Sequence, residues 1–215
     1  MGDADVSNED QVVSDSFLQE FFGPTFRGFA CEIGATDGSA YSNTLELERS
    51  GWDVLCIEPD PNVQTALRAA RKRVIEVACA DFISEAELFG NTGASGGGLM
   101  ENGVMRAASM GYACGSPIKV RVTTLNNCLR EVGFTRLDLL VLDVEGWEPE
   151  VMQGFAVGYW KPAVLCVENW TGDTPWLRKK LPSSYTFHSR IEAYNDIWIS
   201  KSRLEQLRVI EESKL

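Results

Sequence analysis

The sequence predicts an α/β protein with a mainly parallel sheet, helices on both faces and an antiparallel strand near the C-terminus. From residue 29 onward, short apolar runs bounded by turn residues alternate with stretches of helical period. Two of those runs, 137–142 and 163–167, are almost wholly apolar, as strands buried on both faces are. No internal repeat and no linker divides the chain, so residues 14–215 are expected to form one domain.

Residues 1–13 are polar and acidic and are expected to be disordered. Residues 14–22 suit a short helix with Phe17, Leu18, Phe21 and Phe22 on one face, stopped by Gly23 and Pro24. The first strand is 29–33, followed by a helix over 44–49 that Ser42 or Asn43 caps. The second strand is 53–57. Asp60 then suits a helix cap and Pro61 the first helical position, with Val63, Ala66, Leu67 and Ala70 as an apolar stripe. Residues 73–79 read as the third strand. Residues 90–116 hold eight glycines and no period. Long irregular segments of this kind are commonly functional, and this one is expected to be a lid over an acceptor. Residues 118–122 alternate as a half-buried strand, 125–132 suit a helix, and Pro149 opens another with Val151, Met152 and Phe155 inward. Residues 185–188 and 196–199 read as two last strands, before a closing helix over 202–212.

With 215 residues, 44% of them hydrophobic, the chain has ample material for a core. Its formal charge is −11, and five acids but no base fall within the first fifteen residues. An acidic body suits neither a nucleic-acid backbone nor an anionic membrane. No apolar run approaches the roughly 20 residues of a membrane span. The acidic N-terminus is unlike a signal peptide, and a cytoplasmic protein is expected. The six cysteines, Cys31, Cys56, Cys79, Cys114, Cys128 and Cys166, form no C-x-x-C pair. Reduced thiols filling core volume are expected.

Ligands of open α/β sheets sit beyond the carboxyl ends of the strands, so the polar residues after each strand are the candidates. After the first strand comes Glu32-Ile-Gly-Ala-Thr-Asp-Gly38, where Gly34 and Gly38 allow a tight turn and close backbone approach. The spacing is neither the dinucleotide nor the phosphate-loop pattern, and Glu32 and Asp37 would welcome a cation rather than phosphate. A sulfonium bearing an amino group is such a ligand. Glu58 ends the second strand, where an acid can accept both ribose hydroxyls of an adenosine ligand. Asp81, after the third, could accept from an adenine amine. The apolar run 137–142 is followed by Asp143-Val-Glu-Gly-Trp-Glu148, three acids that are costly to crowd unless something cationic sits there. Glu168 and Asn169 follow the next strand at the same edge.

Four segments together resemble the FkbM family of S-adenosylmethionine-dependent methyltransferases: 31–44, Cys56-Ile-Glu-Pro-Asp-Pro-Asn62, Val122-Thr-Thr-Leu125, and Asp138 through Asp143-Val-Glu-Gly-Trp-Glu148. The resemblance implies a Rossmann-like class I methyltransferase fold and methyl transfer, often to a hydroxyl oxygen of a sugar or other small molecule. It also implies that Glu32, Gly34 and Gly38 line the methionine part of the cofactor, with Asp37 and Ser42 among the contacts. Glu58 would hold the ribose and Asp81 the adenine, while Asp143 would face the sulfonium or the acceptor.

A hydroxyl acceptor must lose its proton, so a base or metal is expected. His188, the single histidine, is a candidate on the pKa of imidazole. Asp143, Glu145 and Glu168 are its rivals. Asp143 with Glu168 or Asn169 could bind Mg²⁺ through oxygen, although carboxylates in a crevice do not establish a metal. Trp147, Trp160, Trp170 and Trp176 could line an acceptor pocket, with core packing expected for at least two, and Asn126 stands near the same surface. Two alternatives stay open: a non-catalytic adenosine-binding or scaffold module that keeps the fold, and a nicotinamide oxidoreductase, which the glycine spacing disfavours.

Overall fold

The computed structural model describes residues 21–40, 42–89, 116–169, 172, 175–191 and 194–212. The acidic segment 1–13, most of the helix 14–22, Trp170, Cys114 and all but the last residue of 90–116 lie outside them.

The chain runs β1 (Phe29–Ile33), α1 (Leu45–Arg49), β2 (Asp53–Ile57), α2 (Gln64–Ala70), β3 (Val74–Ile75), β4 (Ala78–Cys79) and β5 (Ser84–Leu88). It continues through β6 (Ile118–Thr123), α3 (Leu125–Glu131), β7 (Leu139–Leu142), α4 (Glu148–Gln153), α5 (Val157–Trp160) and β8 (Val164–Glu168). The described part ends with α6 (Pro175–Lys180), β9 (Tyr185–Ile191), β10 (Asn195–Ser200) and α7 (Lys201–Glu212).

The main sheet has the order β3-β2-β1-β7-β8-β10-β9. Strands β3, β2, β1, β7 and β8 pair in parallel, and β10 is antiparallel to both neighbours. This is the Rossmann-like arrangement the sequence predicts. The order reverses between β1 and β7, because the chain builds outward from β1 on one side and from β7 on the other.

Both faces of the sheet are covered, which is why the central strand β7 is apolar on every residue. On one face Cys31, Ile33, Leu140, Leu142 and Val167 pack against α3, α4, α5 and α6 through Leu129, Met152, Trp160 and Leu177. On the other, Val54, Cys56, Val141 and Cys166 pack against Leu47 of α1, Leu67 of α2 and Leu204 and Leu207 of α7. The five described cysteines are buried and free. No helix among the described residues is long and apolar enough to cross a membrane.

The third predicted strand is instead two. Val74–Ile75 pairs with β2, and then the chain leaves the main sheet so that Ala78–Cys79 pairs with β6 in a second sheet of order β4-β6-β5. Strand β5 arises from a polar stretch that shows no strand signal. Its pairing sets Glu85 opposite Arg121 and Glu87 opposite Lys119, while Leu88 packs on Val120 and Val122. Helix α2 starts at Gln64 rather than Pro61, because Asp60 Oδ1 accepts from the amide of Asn62 and holds a separate turn there.

Candidate functional site

Strand register brings the candidate residues to one edge. Ile57, Ile33, Leu142 and Val167 are paired in a row across β2, β1, β7 and β8. The next residue on each strand is therefore Glu58, Gly34, Asp143 and Glu168. Two of these strands, β1 and β7, flank the point where strand order reverses. Three of the four residues are acids at the carboxyl edge, where open α/β sheets place their ligands.

Gly34 is what lets β1 and β7 end so close together. Its φ is +85°, and a Cβ there would lie 1.7 Å from the carbonyl oxygen of Asp143. Its amide donates to Ile57 O at 2.9 Å, and the amide of Asp143 donates to Ile33 O at 3.1 Å. Glu58 ties the loop after β1 to the loop after β2. Its carboxylate accepts from the amides of Thr36 at 3.0 Å and Asp60 at 2.9 Å. Burial pushes its pKa up to about 7, against those two amides, which lower it.

On the other side of the reversal point, Asp143, Glu145 and Glu168 each offer a carboxylate oxygen within 4.8 Å of the others. Glu145 reaches the group from a turn at φ +58°. That turn is shaped by Glu148, whose Oε1 accepts from the amides of Val144 at 3.0 Å and Gly146 at 3.2 Å. Asp143 and Glu168 stand side by side at the ends of the paired strands β7 and β8, one residue past Leu142 and Val167. Burial, then the charges of Glu168, Glu145 and Glu148, hold the Asp143 pKa well above the usual carboxylate range. Burial and Glu168 push Glu148 to about 7. Such a group of acids binds protons when nothing else positive is present and exchanges them for a cation.

The remaining candidates are placed differently. Glu32 is buried, and its carboxylate accepts from Ser42 Oγ, the amide of Asn43, Thr44 Oγ1 and Arg71 Nη1. Its cationic partner is thus a residue of the chain itself, and Ser42 serves the same network instead of reaching outward. Asp37 Oδ1 accepts from Ser39 and from the amide of Ala40, closing a local turn. Gly38, at φ +78°, lies against the Arg71 and Leu67 side chains. Asp81 is exposed, just past β4 in the smaller sheet.

His188 is not brought to the acids. It lies exposed on the edge strand β9, edge-to-face with Phe21 at 5.0 Å. Three strand spacings separate β9 from β7, about 14 Å at the usual sheet geometry. Trp160 is a core residue whose Nε1 donates to Asn126 Oδ1 at 2.8 Å. Asn126 also accepts from the amide of Ala156 and donates to Gly154 O, so it braces α4 against α5. Trp176 packs on the core. Trp147 bridges the acidic turn to the smaller sheet, with its ring edge-to-face with Phe82 at 6.4 Å.

Two sets of residues escape sequence reasoning. Arg71, Thr44 and Glu48 complete the network around Glu32, yet each reads locally as an ordinary polar residue near a helix end. Behind Asn169 stands Asp196, which accepts from Asn169 Nδ2 at 2.7 Å and from Arg190 Nε at 2.6 Å. An acid inside the apolar run of β10 is the one signal that could have exposed it.

The family model described as the methyltransferase FkbM domain matches residues 32–190. No curated protein matches the chain. Among solved structures, the crystal structure of TrmN from Thermus thermophilus aligns at 11% identity and a TM-score of 0.41. The alignment covers 86% of this chain and 47% of that one, so the chain spans about half the length of TrmN.

Proposed function

Because the chain belongs to the FkbM methyltransferase family, we propose that it moves the methyl group of S-adenosylmethionine to a hydroxyl oxygen of a small molecule or glycan. The observation that carries this reading is the acid group Asp143, Glu145 and Glu168 at the reversal point of the sheet, with Asp143 and Glu168 in the same row as Glu58. The residues fit the cofactor by charge. S-adenosylmethionine carries a sulfonium and an ammonium, and this edge gathers the carboxylates of Glu58, Asp143, Glu145 and Glu168, which attract positive charge.

In this reading Glu58 accepts from the ribose hydroxyls, and the loop from Gly34 to Gly38 receives the methionine end. When bound, the cofactor supplies a methyl carbon on positively charged sulfur. Positioning of acceptor and methyl in line supplies most of the acceleration, roughly 7–11 kcal/mol for well-oriented reactants. The acceptor hydroxyl passes its proton to a carboxylate oxygen of the Asp143–Glu168 pair. The carboxylate oxygens of Asp143, Glu145 and Glu168 lie within 4.8 Å of one another, which gives the proton a carboxylate to go to at the reversal point of the sheet. The three oxygens of Asp143, Glu145 and Glu168 also suit a hard divalent ion such as Mg²⁺.

Titration calorimetry with S-adenosylmethionine, S-adenosylhomocysteine and NAD tests the cofactor. Binding of the two adenosyl ligands but not NAD is expected, and failure to bind either would end this reading. A panel of hydroxylated acceptors, followed by release of S-adenosylhomocysteine with and without chelator, tests the reaction. Asp143→Asn is expected to lower turnover by roughly 10²- to 10⁴-fold, the range for a lost general base. Binding without turnover across the panel would favour the adenosine-binding module.

A further inference from the structure

Arg71 follows α2 and lies 39 residues beyond Glu32, and its side chain has no exposed surface. Its guanidinium meets the chain from several directions at once. Nη1 donates to Glu32 Oε2 at 3.0 Å, to Ser42 Oγ at 2.9 Å and to Gly38 O at 3.4 Å. Nη2 donates to Thr44 Oγ1 at 2.6 Å, and Nε donates to Glu48 Oε2 at 3.0 Å. The aliphatic stem touches the loop as well, since a Cβ on Gly38 would fall 2.6 Å from Arg71 Cγ. One planar cation therefore joins the end of β1, the glycine loop, the start of α1 and the end of α2.

We infer that Arg71 is a positioning residue for cofactor binding, holding the loop that starts at Gly34 in its ligand-receiving shape through Gly38, Ser42 and Thr44. The inference rests on the proposed reading that this loop receives S-adenosylmethionine. Few residues could replace it. A lysine keeps the charge toward Glu32 but has one nitrogen where five contacts diverge over three. An aliphatic side chain leaves Glu32 and Glu48 buried without their cation.

The test compares S-adenosylhomocysteine affinity with thermal stability in the full chain. Arg71→Met is expected to weaken binding about tenfold or more, and Arg71→Lys by an intermediate factor. Asp138→Asn is the control. It breaks another buried ion pair, with Arg136 and Arg203, far from the loop, and should lower the melting temperature while leaving the affinity unchanged. Amide exchange at residues 36–40 should quicken in the Arg71 variants and not in the control. Equal loss of affinity in Asp138→Asn would overturn the inference, because general destabilisation would then account for it. If Arg71→Met does not fold, Arg71→Lys and Ser42→Ala decide: weakened binding supports the inference, and wild-type affinity in both overturns it. A wild-type protein that fails to bind the ligand brings down the proposed function and this inference together. Wild-type binding with unaffected variants brings down this inference alone.

Discussion

Gly34 and Gly146 both adopt left-handed backbone, at φ +85° and +102°, yet only one is closely surrounded. A Cβ at Gly146 would meet nothing within 4 Å, whereas at Gly34 it would enter the Asp143 carbonyl. Gly146→Ala should therefore cost only the backbone strain, about 1–2 kcal/mol. Gly34→Ala should cost that strain plus the displacement of β7's end from β1, and should exceed it by at least about 1 kcal/mol. Because the displaced residue is Asp143, the same change should also weaken S-adenosylhomocysteine binding. Denaturant melts and calorimetry on the two variants check both points; equal stability losses would mean that the two strand ends are free to move apart.

Elements form where local chemistry and tertiary pairing agree, and α3 is the clearest instance. Thr124 has extended backbone, at φ −88° and ψ 148°, and its side chain accepts from the amide of Asn127 at the helix start. Thr124→Ala should cost about 1 kcal/mol, a fall in melting temperature of roughly 2–4 °C for a chain of this size; a change near zero would show the cap to be idle. Strands β1 and β2 were legible to the residue, since apolar runs bounded by turn residues leave little choice. Strand β5 was not, because Ser-Glu-Ala-Glu-Leu becomes a strand only by facing Lys119 and Arg121. At the site, Glu58, Gly34, Asp143 and Glu168 were legible because the end of a strand fixes where its next residue goes. The burial of Glu32 was hidden, because it depends on Arg71 arriving from a distant helix. His188 was misleading for a related reason: intrinsic pKa marks a candidate, but strand order decides what it can reach.

At the scale of the whole molecule, the acids of this edge couple stability to ligand through protons. Glu58 and Glu148 titrate at about 7, and Asp143 lies well above its usual range, in each case chiefly because of burial. Asp60 adds negative charge beside Glu58, and Glu168 does so beside Glu148 and Asp143. A carboxyl whose folded pKa is raised binds more protons in the folded state than in the unfolded one between the two values. Its stabilising contribution is therefore complete below about pH 4.5 and is lost as pH rises toward 7. The ligand-free protein should lose melting temperature across that window, and Glu58→Gln should make the decline shallower. Ligand binding should run the opposite way. A cation displaces protons from these carboxyls, so affinity for S-adenosylmethionine should rise between pH 6 and 8. Calorimetry at pH 6.5 in buffers of different ionisation enthalpy should then register proton release. S-adenosylhomocysteine lacks the sulfonium charge, so its affinity should climb less steeply over the same range. Parallel pH profiles for the two ligands would mean that the sulfur does not face Asp143 and its neighbours, and the acid group would have to serve the acceptor or a metal ion instead.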